Sequence, residues 1–417
     1  MVEFSTLYDL EMRSGDPSKL GNGLGLTIVS ESKERRSCMR LDRLSIYTEI
    51  FPTGRFVESG GFVLNLAEGF NRAGTSVNVE VLASVLSLVR RRVLWFPRNR
   101  MVRGVPVHWS YFLSRGVPSL WSRGPRGRSE IFDRFYSAAK RKWSDRRAQY
   151  STCLAYFSST GIALLAARPA STIYVECGES DLEESRQRIG PTRFDEILPR
   201  AAGIVAVSRY NADWIRERYG DRVRVIHLPN PYNEAFFYFR PKSVVREELG
   251  MDGTKICVAF AGHFVERKGP LRVDAALQQT SAYGVFMGSG PQVPRSGRVL
   301  RASAVPNHDL GRWLSACDML VLPSLAEGMA TVIVEAMACG LPLVVSDRYF
   351  NRSFLTEANA VFVDPLSVDD IARGIRYLVD RPDVRAAMSA ENIRNSEKFG
   401  LSYRIDRMSE FMSVNRL

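Results

Sequence analysis

Paired metal ligands are what this 417-residue chain most plainly lacks. Its six cysteines, Cys38, Cys153, Cys177, Cys257, Cys317 and Cys339, form no CxxC pair, and its four histidines are scattered. That argues against a site built on paired Cys or His. Several of the cysteines stand inside apolar runs, as in Lys255-Ile-Cys-Val-Ala-Phe260, and read as small buried hydrophobes of a reducing compartment. No apolar stretch reaches the ~18 residues of a membrane-spanning helix. Met1 to Ser37 lack the basic start, apolar middle and small-residue cleavage site of a secretion leader. A cytoplasmic protein is expected, with residues 1–38 an extension without stable structure. The first glycine turn, Glu58-Ser-Gly-Gly-Phe62, misses the GxGxxG spacing, which argues against a dehydrogenase.

What the chain has is apolar material for two cores and an excess of positive charge. Hydrophobic residues make up 45% and charged residues 24%, the balance of a globular protein. The net charge of +12 points to acidic partners such as phosphates or anionic lipid heads. The excess is local: Arg90 to Arg147 hold sixteen Lys or Arg against three acids. Arg90, Arg91, Arg92, Trp95, Phe96, Arg98, Arg100 and Arg103 combine cations with interfacial rings, which suits an anionic membrane surface. The plainer reading of the same run is a solvated face. Nucleic-acid binding would rest on net charge alone and is not expected.

Along the chain, short apolar runs alternate with helical patterns. Leu41–Ile50 reads as a strand, Ser59-Gly60-Gly61 opens a helix carrying Phe62, Leu64, Leu66, Ala67 and Phe70, and Val77–Leu82 is the next strand. That is a βαβ unit. Residues 83–150 show no clear period. Alternation resumes at Cys153 and runs to Leu228. Pro229-Asn-Pro-Tyr-Asn233 and Arg240-Pro241 carry turn chemistry and mark a domain boundary. Strands then follow at Lys255–Ala261, Tyr283–Met287, Met319–Leu322, Leu343–Ser346 and Ala360–Val363, and helices over Val368–Val379 and Ile393–Met412 close the chain. The expected architecture is α/β, with an N-terminal domain over 39–235, a C-terminal domain over 236–395 and a final helix over 396–417 that packs back on the first domain. Ligands of such sheets sit beyond the carboxyl ends of the strands, at the interface between domains.

Three strand-to-helix turns carry the chemistry. In Pro323-Ser-Leu-Ala-Glu-Gly-Met-Ala-Thr-Val-Ile-Val-Glu335, a loop with Glu327 leads into a helix opening near Ala330 or Thr331 and bearing Glu335. Free N–H groups at the helix start make an anion site that fits a diphosphate. Carboxylates at two points suit hydroxyl groups, which need fixed acceptors. Taken alone, the same pair of glutamates also reads as support for the helix dipole. In Phe260-Ala-Gly-His-Phe-Val-Glu-Arg-Lys-Gly-Pro270, Lys268 stands where a point charge could neutralise a phosphate. Met287-Gly-Ser-Gly-Pro291 is a third glycine turn.

In this order the pieces resemble family 4 of the retaining glycosyltransferases, of the GT-B fold. That family pattern places a Gly-x6-Gly turn (Gly262 to Gly269) before a Gly-x-Gly-Pro turn (Gly288 to Pro291). An Asp-to-Ser strand (Asp318 to Ser324) follows, and then Glu-x7-Glu (Glu327 to Glu335) ahead of Gly340-Leu-Pro-Leu-Val344. The resemblance implies two Rossmann-like domains facing each other across a cleft. It implies transfer, with retention, of a sugar from a UDP- or GDP-sugar to a glycan or lipid-linked acceptor in cell-envelope or exopolysaccharide synthesis. It implies no cofactor and no obligatory metal, and a place in the cytoplasm or on the cytoplasmic membrane face. Lys268 would hold the donor diphosphate with the amides of Met329, Ala330, Thr331 and Val332, beside Gly262, His263 and Gly290. Glu335 would bind ribose hydroxyls and Glu327 the transferred sugar, as the catalytic residue. Gly60 and Gly61 would let the first-domain loop approach the phosphates. The chain departs from the family at His263, where an Arg is usual, and at Glu176 and Glu179, where a His is frequent. These departures leave open a non-catalytic scaffold and, more remotely, a nucleotide-sugar epimerase.

Overall fold

The computed structural model describes residues 41–52, 60–90, 97–113, 125–144, 152–169, 171–178 and 182–413. The expected extension over 1–38, Arg91 to Phe96 of the basic run, and Glu179 lie outside them. The described chain folds around two sheets. The first is built from β1 (Arg43–Thr48), β2 (Ser76–Ser84), β3 (Arg100–Val102), β4 (Val105–Phe112), β5 (Thr152–Tyr156), β6 (Ile173–Cys177), β7 (Gly203–Ala206) and β8 (Val225–His227), in the order β3-β4-β2-β1-β5-β6-β7-β8. All neighbours are parallel except the β3–β4 pair, an antiparallel hairpin at one edge. The second comprises β9 (Cys257–Ala261), β10 (Tyr283–Met287), β11 (Val299–Ser303), β12 (Met319–Leu322), β13 (Leu343–Ser346) and β14 (Ala360–Val363), in the order β11-β10-β9-β12-β13-β14 and parallel throughout.

Both sheets are doubly wound, and their strand order reverses between β1 and β5 in one lobe and between β9 and β12 in the other. Such switch points open a crevice at the carboxyl ends of the strands. The residues explain the layering. Strands covered on both faces read as unbroken apolar runs, and β5, β6, β9, β12 and β13 are buried from end to end. Successive side chains alternate between faces. Cys153 and Ala155 therefore join one first-lobe core, while Leu154 and Tyr156 join the other.

The helices, in chain order, are α1 (Gly61–Arg72), α2 (Val85–Arg90), α3 (Pro125–Lys142), α4 (Ser158–Ala167), α5 (Leu182–Ile189), α6 (Pro191–Ile197), α7 (Arg209–Tyr219), α8 (Lys242–Leu249), α9 (Pro270–Leu277), α10 (Asn307–Ser315), α11 (Thr331–Ala338), α12 (Tyr349–Arg352), α13 (Val368–Asp380), α14 (Pro382–Ser396) and α15 (Leu401–Ser413). Among the described residues no helix is long and apolar enough to cross a membrane. The stretch without a readable period holds α2, the β3–β4 hairpin and α3. The hairpin turns at Arg103-Gly104, both at positive φ (49° and 78°), as a two-residue turn requires.

The single helix expected over Ile393–Met412 is instead two. α14 ends in a short 3-10 turn at Phe399, Gly400 is extended, and α15 then begins. The break has a physical reason: here the chain crosses back between lobes, beside the outward crossing. Tyr232 donates its N–H to the Phe399 carbonyl at 3.0 Å, and Leu401 donates to the Tyr232 carbonyl at 3.1 Å. A Cβ at position 400 would stand 2.5 Å from Glu234 Oε1.

From there α15 packs on the first lobe. Leu401, Ile405, Met408 and Met412 complete its second core. Tyr174 donates its hydroxyl to the Met412 carbonyl at 3.0 Å. Arg404 is 3% exposed and donates to Glu176, itself fully buried, at 2.8 Å, and to the carbonyls of Leu228 and Pro229. Removing one partner of a buried pair costs about 3–5 kcal/mol, because the other charge is left uncompensated. Arg404→Ala is expected to lower the apparent melting temperature by several degrees. A variant that melts with the wild type would show that this strap carries no stability.

Candidate functional site

The second-lobe site is built on two glycine turns that interlock. Gly262, just past β9, donates its N–H to the Met287 carbonyl at the end of β10 (3.0 Å), and Phe264 donates to the Ser289 carbonyl (2.8 Å). The approach excludes side chains: a Cβ on Gly288 would lie 1.9 Å from the Gly262 carbonyl oxygen, and one on Gly290 2.5 Å from that of Phe264. Gly262 and Gly290 also hold φ of 142° and 150°, which L side chains rarely adopt. Above Gly262 lies the stem of Lys268, whose Cδ a Cβ there would approach to 3.7 Å. His263 is exposed, and its side chain makes no hydrogen bond or ion pair among the described residues.

Lys268 meets Glu327 across the switch point. Its ammonium lies 2.7 Å from Glu327 Oε1, with both side chains nearly buried. Arg267 reaches the same oxygen at 2.7 Å. The loop after β12 is pinned to the loop after β9 by further bonds. Leu325 donates to the Arg267 carbonyl at 2.8 Å, Arg267 to the Ala326 carbonyl, and Arg272 to the Pro323 carbonyl at 3.2 Å. Two cations against one carboxylate leave one positive charge. Arg267 carries no motif signal that would have singled it out. Asp318 has a different part: at the opposite end of β12 it pairs with Arg246 at 2.7 Å and accepts the Cys257 N–H at 2.7 Å, which makes it structural.

α11 opens toward the crevice. Its N-cap, Ala330, has no side-chain acceptor to cap the mouth. The N–H groups of Met329, Ala330, Thr331 and Val332 have no hydrogen-bond partner among the described residues. The helix closes in a Schellman turn, with Gly340 (φ 78°) donating to Met337 and Leu341 to Ala336, at 2.9 Å each. One turn in from its start, Glu335 is half-buried and has no side-chain partner among the described residues. Burial pushes its carboxyl up to about 8. Among the described residues Glu335 forms no hydrogen bond or ion pair with Glu327 or Lys268.

The first lobe presents a matching helix mouth. Gly60 caps α1 in the left-handed region (φ 85°), where a Cβ would meet the Ile50 carbonyl oxygen at 2.9 Å. Gly61 faces open space. Phe62 beside it and Thr331 at the start of α11 line the same cavity of about 300 Å³, between the lobes and against α15. The amino end of α11 is therefore unplugged and faces the interlobe gap. Glu176, standing where a cleft side chain is expected, instead lies buried under Arg404. Of the basic run, Arg98, Arg100 and Arg103 are exposed, and Arg103 pairs with Glu68 on α1.

Residues 242–395 match the family described as Glycosyl transferases group 1. The chain is similar to the putative teichuronic acid biosynthesis glycosyltransferase TuaC of Bacillus subtilis, 26% identical over 67% of this chain and 73% of that protein. It is similar also to the GDP-mannose-dependent monoacylated alpha-(1-6)-phosphatidylinositol monomannoside mannosyltransferase of Corynebacterium glutamicum, 27% identical over 53% of this chain and 63% of that protein. Among solved structures it resembles Anabaena Alr3699/HepE in complex with UDP, with a TM-score of 0.65 at 17% identity over 89% of this chain and all of that one. That likeness establishes the fold as GT-B.

Proposed function

From a chain whose second lobe is a glycosyl transferases group 1 domain on a GT-B frame, we propose a retaining transferase that moves a sugar from a UDP- or GDP-sugar to a glycan or lipid-linked acceptor. The observation that carries this reading is the Lys268–Glu327 contact in the loops leading to the unpartnered amino end of α11, whose first residue, Thr331, borders a recess shared with α1. The donor diphosphate would rest on the free N–H groups of Met329 to Val332, with Lys268 and Arg267 taking up charge as the leaving group departs. Such preorganised donors act without a metal ion. Glu335 would accept ribose hydroxyls, and Glu327, held by its two cations, would face the transferred sugar. The names of the relatives support an acceptor in polysaccharide or glycolipid synthesis; a place in the cytoplasm or on the cytoplasmic membrane face belongs to the same proposal.

The direct test is nucleotide release from UDP- and GDP-sugars incubated with the full chain and no acceptor. Slow release that EDTA leaves unchanged is expected. A protein that binds neither UDP nor GDP by calorimetry is instead a scaffold.

Glu335 supplies a second, independent test. Burial pushes its carboxyl up from the usual 4.5 to about 8, which favours the protonated form at pH 7. Hydroxyls that donate to it favour the carboxylate and pull the pKa down. Donor binding at pH 7 should therefore release a proton. Calorimetry of a nucleotide sugar in buffers of different ionisation enthalpy would show it, and Glu335→Gln should abolish it while weakening binding about 10- to 100-fold. Proton uptake, or none, would refute the assignment. The folded state holds this proton to higher pH than the unfolded state does, so its contribution to stability is lost as pH rises from 4.5 through 8.

A further inference from the structure

The cavity beside Thr331 has walls unlike those of a phosphate site. They come almost wholly from the first lobe, the hinge and α15, and Lys268, Glu327 and Glu335 are not among them. Phe62 is 42% exposed there, although it sits between the buried positions of an otherwise core-facing helix. Its ring packs against Tyr156 at 4.9 Å, tilted by 32°, and meets Phe157 edge-on at 6.2 Å. Phe157 stands at φ 77°, ψ 151°, a conformation that essentially only glycine adopts. Two bonds hold it there: its N–H donates to the Glu176 carbonyl (2.8 Å), and its carbonyl accepts from Gly161 (2.9 Å). Gly178 makes room for the ring, since a Cβ at that position would lie 3.1 Å from Phe157 Cε1. Amides edge this aromatic floor. Asn65 shares the α1 face of Phe62, three residues on. Asn230 lies on the hinge with no side-chain partner among the described residues.

We propose that this recess is the acceptor subsite and takes a single pyranose-sized sugar ring, its C–H face on Phe62 and its hydroxyls on the amides of Asn65 and Asn230. This rests on the transferase reading above and adds the acceptor's chemical class. An aromatic face edged by amides matches a sugar, which offers one apolar face and a rim of hydroxyls. Asn65 accepts from Arg103 through Oδ1 at 3.5 Å and keeps its N–H groups as donors. A lipid tail would need no amides. The volume of about 300 Å³ lies at the small end of ligand pockets and suits one ring. Thr331 puts that ring next to the mouth of α11, within reach of the donor.

The experiment is saturation-transfer NMR on the full chain with methyl α-glucopyranoside and methyl α-mannopyranoside as probes, with and without UDP or GDP. Transfer to the ring C–H protons is expected for at least one probe, undiminished by nucleotide. Phe62→Ala should reduce it tenfold or more and Phe62→Tyr should keep it, with nucleotide affinity within twofold of wild type in both. No transfer, transfer indifferent to Phe62→Ala, or transfer abolished by nucleotide would overturn the subsite. Nucleotide binding that fails while sugar transfer persists would instead sink the transferase reading and leave a sugar-binding recess.

Discussion

Lys268→Ala is expected to lower kcat/KM for the nucleotide sugar about 100- to 1,000-fold, the usual cost of removing one preorganised charge-stabilising donor. The expected fall is mainly in kcat, because charge on the departing diphosphate grows toward the transition state. The geometry makes the lysine hard to replace. Its stem lies over Gly262 and its ammonium is nearly buried against Glu327. Arg267, half exposed at its side chain, holds the same carboxylate oxygen from another direction. Lys268→Arg should recover little, since a planar fork does not substitute for a compact ammonium in a closed site. Steady-state kinetics, with nucleotide affinity measured separately, checks this. A variant within tenfold of wild type would place the diphosphate elsewhere.

The second large effect is expected at Glu327. Glu327→Ala should abolish turnover, with at least a 1,000-fold fall in kcat, while nucleotide binding stays measurable. The two readouts are separable because Glu327 precedes the helix mouth, whereas the backbone N–H groups and Glu335 are untouched by the change. Removing the carboxylate also frees Lys268 and Arg267, so free UDP or GDP should bind as tightly as to wild type or more tightly. Because Lys268 and Glu327 touch, the double variant should fall well short of the sum of the single losses. Full activity in Glu327→Ala would remove it from the site.

The legible part of this protein is its second lobe. Buried parallel strands such as Cys257–Ala261 and Leu343–Ser346 appear as unbroken apolar runs, and the glycines at 262, 288, 290 and 340 punctuate turns that only glycine can make. The sequence places Lys268 and Glu327 in separate strand-to-helix turns; that the two touch follows from β9 lying beside β12 in the sheet. The first lobe was less readable between 83 and 150. Its edge hairpin turns on Arg103-Gly104, a weak turn signal, and β4 spends its alternate residues on half-buried positions that blur the apolar period. Arg267 and Arg404 look like ordinary surface cations in sequence. One anchors the Glu327 loop, and the other is buried against Glu176 across 228 positions of chain.

By itself the sequence determined the local elements of the second lobe, the glycine turns and the helix that offers its amino end to an anion. Local pattern suffices for these, since each depends on residues a few positions apart. Tertiary structure alone decided that the mouths of α1 and α11 border one cavity. It also decided that the last helix breaks at Gly400 to staple the lobes, and that Phe62, Tyr156 and Phe157 gather around it. The break at Gly400 goes with the crossing of two chain segments at Tyr232 and Gly400, and the aromatic cluster with contacts about a hundred positions apart; no local period encodes either.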